Sequence, residues 1–159
     1  KIIGRQITLQ GIEFGLSLED SIPPILAHNN RMEQVIFNLV TNARDSINEK
    51  IESLPRPQPG KIVISSFTHN ARVGFCVEDN GMGILPDTLD NIFESFYTTK
   101  AMGEGLGLGL PIIKGIVQDY NGTIGVKSEP GVGALFTIEF PVCDKKIEPG
   151  KEQIKETLL

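Results

Sequence analysis

The sequence predicts an α/β fold, a two-layer sandwich in which a mixed, mostly antiparallel sheet carries its helices on one face. Three observations predict it. Alternating or apolar-rich runs recur at 12–18, 61–67, 72–78, 123–128 and 134–140, and a period of two marks strands with one buried face. Two stretches, one opening near Arg31 and one just after Leu108, repeat their apolar residues every three to four positions, as helices packed on one side do. The second and third strands, and the fourth and fifth, are joined by connections short enough for hairpins, which makes those pairs antiparallel.

The elements follow in order. Residues 12–18 (IEFGLSL) are the first strand, and Pro23 and Pro24 break the chain before a short extended piece at 25–27. Asn30 with Glu33 three residues on is a capping-box pattern. The helix it opens carries Met32, Val35, Ile36, Leu39, Ala43, Ile47 and Ile51 and runs to about Ser53, where PRPQPG forbids helix. KIVISSF (61–67) and RVGFCVE (72–78) are strands joined through the turn-like His69-Asn70; Val73, Phe75 and Val77 share one face of the second. Residues 85–100 show no clean period and read as a loop with short helical turns. A second helix carries Ile112, Ile113, Ile116, Val117 and Tyr120 and stops at Asn121-Gly122. TIGVKS (123–128) and ALFTIEF (134–140) form a hairpin through 129–133. Residues 1–141 therefore make one domain, and 142–159 a charged tail or short helix.

Composition narrows the function. A net charge of −5 argues against bulk nucleic-acid binding or direct contact with an anionic membrane. No apolar run approaches a membrane span of about 18 residues. Cys76 and Cys143 lack metal-site spacing; with Cys76 read as core, a reduced, cytoplasmic setting is the expectation. The chain has 17 glycines, against roughly 11 expected at a 7% share. Gly81, Gly83, Gly103, Gly105, Gly107 and Gly109 fall in two clusters, as they would where backbone approaches a ligand closely.

Three features can carry chemistry. On the first helix Asn38, Asn42, Asp45 and Glu49 line one face. That stripe is either a solvated face or, through an asparagine amide oxygen, a ligand set for a hard cation such as Mg²⁺. Asp79, at the end of a strand and followed by Asn80, Gly81, Met82, Gly83 and Ile84, is either an Asp-x-Gly turn or a carboxylate at a pocket floor, placed to accept from an exocyclic amine. The run Gly103, Glu104, Gly105, Leu106, Gly107, Leu108, Gly109 opens a helix, and bare amides there suit a phosphate. It matches neither a Walker A loop nor the dinucleotide GxGxxG pattern.

Taken together and in this order, the motifs resemble the ATP-binding catalytic domain of two-component sensor histidine kinases, within the gyrase, chaperone and mismatch-repair ATPase superfamily. The resemblance covers about residues 11–141. Glu33 through Ala43 resembles the family's N box, Asp79 through Ile84 its first glycine box, and Gly103 through Leu110 the second. Ile92 through Lys100 resembles its phenylalanine box, with the Thr-Thr-Lys ending of nitrogen-regulation-type kinases, and Gly131 through Phe136 resembles its last glycine box.

That resemblance implies a Bergerat-type fold with a mobile ATP lid at 85–104 and ATP held between the glycine clusters. Asp79 would accept from the adenine amino group, with Gly81, Gly83 and Ile84 beside the ring. Asn42 would ligate Mg²⁺, with Asn38 as a supporting ligand and Asp45 nearby. Phe96, Thr98, Thr99 and Lys100 would belong to the lid side of the site, and Gly103, Gly105, Leu106, Gly107 and Leu108 to the phosphate side. Implied partners are a dimerisation and histidine-phosphotransfer domain of the same kinase and a downstream response regulator. Hydrolysing members of the superfamily have a glutamate four residues before the magnesium asparagine as general base. This chain has Asn38 there, which favours Asn38 and Asn42 as the catalytic pair of a kinase over an ATPase of the chaperone or gyrase class. A nucleotide-binding interaction module without transfer is the other alternative.

The sequence also departs from the family pattern. Asp45 replaces a frequent lysine, leaving Lys100, Arg44 or another domain to meet phosphate charge, and Ala134 replaces a frequent threonine. His28 and His69 lie in no phosphoacceptor context, so both read as structural or surface residues, and the acceptor histidine is expected on another domain.

Overall fold

The computed structural model describes residues 11–55, 58–95 and 108–143. In chain order these form β1 (Ile12–Ser17), α1 (Asn29–Ser53), β2 (Gly60–His69), β3 (Arg72–Asp79), α2 (Pro86–Leu89), α3 (Gly109–Asp119), β4 (Thr123–Glu129) and β5 (Gly133–Pro141). The sheet order is β1-β2-β3-β5-β4, parallel between β1 and β2 and antiparallel elsewhere. The expected mixed sandwich is what forms.

Register puts the buried apolar residues of the strands on one side, while Val63, Phe67 and Leu135 fall on the other. Ile64, Val77, Phe136 and Val126 line up across β2, β3, β5 and β4, as do Phe75, Ile138 and Ile124 across the last three. Against that side lie Met32, Val35, Leu39, Val40, Ala43 and Ile47 of α1 and Ile113, Ile116 and Val117 of α3, all buried. The core is the space between. Ser66 is also buried there, and its hydroxyl accepts the Glu19 amide at 2.9 Å. Cys76, read from sequence as core, is half-buried on the other side of the sheet with Sγ 3.5 Å from Thr137 Oγ1.

Two boundaries differ from the sequence reading for tertiary reasons. α1 starts at Asn29 rather than after an Asn30 cap, and no side chain caps it. The carbonyl of extended His28 accepts the amides of Arg31 and Met32 at 3.0 and 3.1 Å. His28 is itself held from α3, with Nδ1 2.7 Å from the Tyr120 hydroxyl. The expected capping box was a local pattern, overridden by a contact 92 residues away. Likewise β2 runs on to His69, and the turn is Asn70-Ala71, with φ of 47° and 58°. Both values are left-handed, as a two-residue hairpin turn matching strand twist requires. At the end of α3, Asn121 takes the left-handed position (φ 55°), while Gly122 leaves room for the Phe140 ring and Val117.

Candidate nucleotide site

Asp79 ends β3 on the core-facing side of the sheet, opposite Ala134 of β5, and is only 8% exposed. Its Oδ1 accepts the Gly81 amide at 2.8 Å. Burial pushes the carboxyl up from 3.8 to about 6, because a charge is poorly solvated there. The backbone amides of Gly81 and Ala134 and the nearby Lys50 ammonium pull it back down, and Glu78 adds a smaller upward push. A buried carboxylate poised to ionise near neutrality is a strong, directional acceptor.

The turn after Asp79 is fastened on two sides. Met82 donates its amide to Ser46 of α1, at 3.0 Å to the hydroxyl and 3.2 Å to the carbonyl. Lys50, one turn further along α1, donates to the carbonyl of Asn80 at 2.6 Å and to that of Val132 at 3.4 Å. The Asn80 side chain accepts from the Lys61 amide at 2.7 Å and donates to the Pro59 carbonyl at 3.0 Å. On the other side Gly131 donates to the Met82 carbonyl at 2.7 Å. Ile84 donates to Ser128 Oγ, which in turn donates to Gly133 O, both at 2.8 Å.

These contacts give Gly81 and Gly83 a reason different from the one the sequence suggested. A methyl group on Gly81 would overlap Ser46, and one on Gly83 (φ +70°) would overlap the Glu129 carbonyl. The space their missing side chains leave is filled by protein, so these glycines let the turn lie flat between α1 and the β4–β5 hairpin.

The asparagine stripe also divides. Asn38 and Asn42 are half-buried, and a methyl group on Gly109 would sit 3.8 Å from both terminal atoms of the Asn42 amide. The first residue of α3 therefore faces Asn42, which lies beside the N-terminal end of that helix. Leu108 caps α3, its carbonyl accepting the Ile112 amide at 3.1 Å. Further along α1, Glu49 is exposed, and Asp45 pairs with Arg44 at 2.6 Å. Arg44, one candidate for meeting phosphate charge, is thus engaged with Asp45.

Phe96, Thr98, Thr99, Lys100, Gly103, Gly105, Leu106 and Gly107 lie outside the described residues. Of the expected lid, residues 85–95 are described: α2, then turns that bury Ile92 and set Phe93 under the Lys114 ammonium, 5.7 Å from the ring centre.

Sequence reading missed Ser46, Lys50 and Ser128. The signal for the first two was present, since Asn38, Asn42, Ser46 and Lys50 form one unbroken row at intervals of four. Ser128, paired with Ala134 across β4 and β5, had none, because only the folded hairpin brings it to Ile84.

Residues 27–144 match the family described as histidine kinase-, DNA gyrase B-, and HSP90-like ATPase. The chain belongs to this family. It is 35% identical over 149 residues to the sensor histidine kinase ZraS of Escherichia coli (strain K12), covering 94% of this chain and 30% of that protein. It is 37% identical over 164 residues to the sensor kinase CckA of Brucella abortus (strain 2308), covering 98% of this chain and 17% of that protein. The chain thus spans under a third of these curated relatives. Among solved structures it resembles the nucleotide-free catalytic domain of histidine kinase ThkA, with a TM-score of 0.72 and 29% identity, over 89% of this chain and 86% of that one. It also resembles full-length ShkA solved in complex with AMPPNP, with a TM-score of 0.69 and 31% identity, over 89% of this chain and 30% of that one. Among the described residues no helix is long and apolar enough to cross a membrane.

Proposed function

We propose that this chain is the ATP-binding catalytic domain of a cytoplasmic histidine-kinase module. It binds Mg-ATP and passes the γ-phosphoryl to a histidine on a separate dimerisation domain of the same protein, from which a response regulator takes it. The observation that carries this reading is Asn38, one turn before Asn42 on α1. An amide at that position cannot take a proton from water, so hydrolysis lacks its base, whereas an imidazole acceptor brings its own nucleophilic nitrogen.

The residues fit the nucleotide and its metal. Asp79 offers an ionisable acceptor to the adenine amino group. Asn42 offers a hard amide oxygen beside the start of α3, and with Asn38 it would hold Mg²⁺, which supplies charge neutralisation at the phosphates. The α3 N-terminus, with the amides of Gly109 and Leu110, would face the phosphates. The chain's own work is to orient: Asp79 holds one end of the nucleotide, and α1 and α3 hold the other. The acceptor nitrogen then attacks the γ-phosphorus as the bond to the bridging oxygen breaks, and ADP leaves. Lys100, Thr98, Thr99, Phe96 and the 103–107 glycine run, with Gly103, Gly105, Leu106 and Gly107, complete the site by resemblance.

The test mixes this chain with its cognate dimerisation domain and γ-labelled ATP. Acid-labile, alkali-stable phosphohistidine on the partner is expected. ATP binding without phosphohistidine overturns the reading, and steady phosphate release by the chain alone points to a hydrolase.

A further inference from the structure

We propose that Ser46 and Lys50 are positioning residues of the nucleotide site: one turn apart on α1, they clasp the 80–82 turn and so fix the Asp79 carboxylate relative to Asn42. The inference deepens the reading of Asp79 as the adenine acceptor and rests on it.

The route is short. Asp79 is oriented by the Gly81 amide at 2.8 Å. Gly81 is pressed onto Ser46 with no room for a side chain between them, and the next amide, Met82, donates to Ser46. Asn80, on the other flank, is held through its carbonyl by the Lys50 ammonium at 2.6 Å. Any tilt of this turn therefore breaks contacts to α1 at two points. The same helix carries Asn42 and Asn38 one and two turns before Ser46, in the same row at intervals of four. The clasp thus sets the separation between the base end of the site and the phosphate end with one rigid element, and rigid placement is what makes a recognition group selective.

Lys50 has a simpler role available, as a cation in the last turn of α1 favourable to the helix dipole. That role needs no partner. Yet Lys50 reaches carbonyls 30 and 82 residues away, one on the turn and one on the β4–β5 hairpin, and so joins three segments around Asp79.

Guanine carries a carbonyl oxygen where adenine carries an amino group, so a carboxylate held in place rejects GTP, and one allowed to tilt rejects it less. The experiment titrates ATP and GTP, each with Mg²⁺, into the 159-residue chain and into Lys50→Met, Lys50→Arg and Ser46→Ala, by calorimetry, with thermal unfolding to confirm the fold. Lys50→Met is expected to bind ATP about tenfold more weakly, and its ATP-to-GTP preference narrows by a similar factor. Lys50→Arg restores both. A folded Lys50→Met that keeps the unaltered preference overturns the proposal, since a purely structural lysine lowers the unfolding temperature and leaves the preference alone. Should Lys50→Met fail to fold, Ser46→Ala decides: a narrowed preference supports the clasp and an unchanged one overturns it. Failure of the unaltered chain to bind ATP at all sinks the nucleotide reading itself, a result distinct from binding with an insensitive preference.

Discussion

Gly133 lies against the backbone carbonyl of Asp79. A methyl group on Gly133 would overlap that oxygen, and φ at Gly133 is +147°, outside the range L side chains adopt easily. The residue that opens β5 is thus pressed onto the residue that ends β3, and the acceptor's backbone position depends on a missing side chain.

Gly133→Ala should accordingly destabilise the fold by about 2–4 kcal/mol, since neither backbone can yield without breaking the β3–β5 pairing. Gly131 is the control. It has a left-handed φ of +78° but open space around it, so Gly131→Ala should cost only about 1 kcal/mol. Urea denaturation of the two variants checks the contrast, and equal losses would mean that the contact with Asp79 is relieved by local movement.

Asp79 should stabilise the protein less than its neutral replacement. Its folded pKa, about 6, stands above the ordinary 3.8. The folded state therefore holds the proton more tightly than the unfolded chain, and ionisation costs stability. The cost is absent below about pH 4, grows between about pH 4 and 6, and is complete above, at up to about 3 kcal/mol. Asp79→Asn, which keeps an acceptor for the Gly81 amide, should gain about 1–3 kcal/mol at pH 7 and almost nothing at pH 4. Denaturation midpoints at the two pH values provide the measurement. A gain of the same size at both would assign the effect to something other than ionisation.

ATP affinity should follow the same titration in the opposite sense. An ionised carboxylate accepts from the adenine amino group more strongly than a protonated one. Binding should be flat above about pH 7 and weaken through pH 6, where Asp79 takes up its proton. Calorimetric titrations from pH 5 to 8, with Asp79→Asn as the reference, isolate this component. The variant should bind more weakly at pH 8, and its pH dependence through this range should be smaller.

Ala71 occupies a left-handed position at φ 58°, next to Asn70 at φ 47°. Alanine is strained there, whereas glycine is not. Ala71→Gly should raise stability by about 0.5–1 kcal/mol without touching the site at the far end of β3. A thermal melt and an ATP titration together test both halves of this statement.

Much of this protein was legible before folding, and for a physical reason. Strand and helix periods are local, so β1 to β5, α1 and α3 were recoverable to within a few residues from 12–18, 31–53 and the later runs. Asp79, Asn38 and Asn42 stood out through the order and spacing of the motifs that hold them, since each alone also reads as a common turn or a solvated helix face. Local patterns misled where a distant partner outweighed them. The Asn30 cap gave way to His28, held by Tyr120, and His69 joined the strand rather than the turn.

The two glycine clusters mark the division most clearly. Sequence alone pointed to close backbone passage at Gly81 and Gly83, because only glycine tolerates it. It could not determine what passes there. Tertiary structure decided that Gly81 meets Ser46, that Gly83 meets Glu129, and that Gly109 faces Asn42. Those neighbours lie 35 or more residues away in the chain, brought together by the burial of the α1, α3 and sheet surfaces that a hydrophobic core requires. The same burial raised the Asp79 carboxyl toward neutrality, a property no spacing of residues encodes.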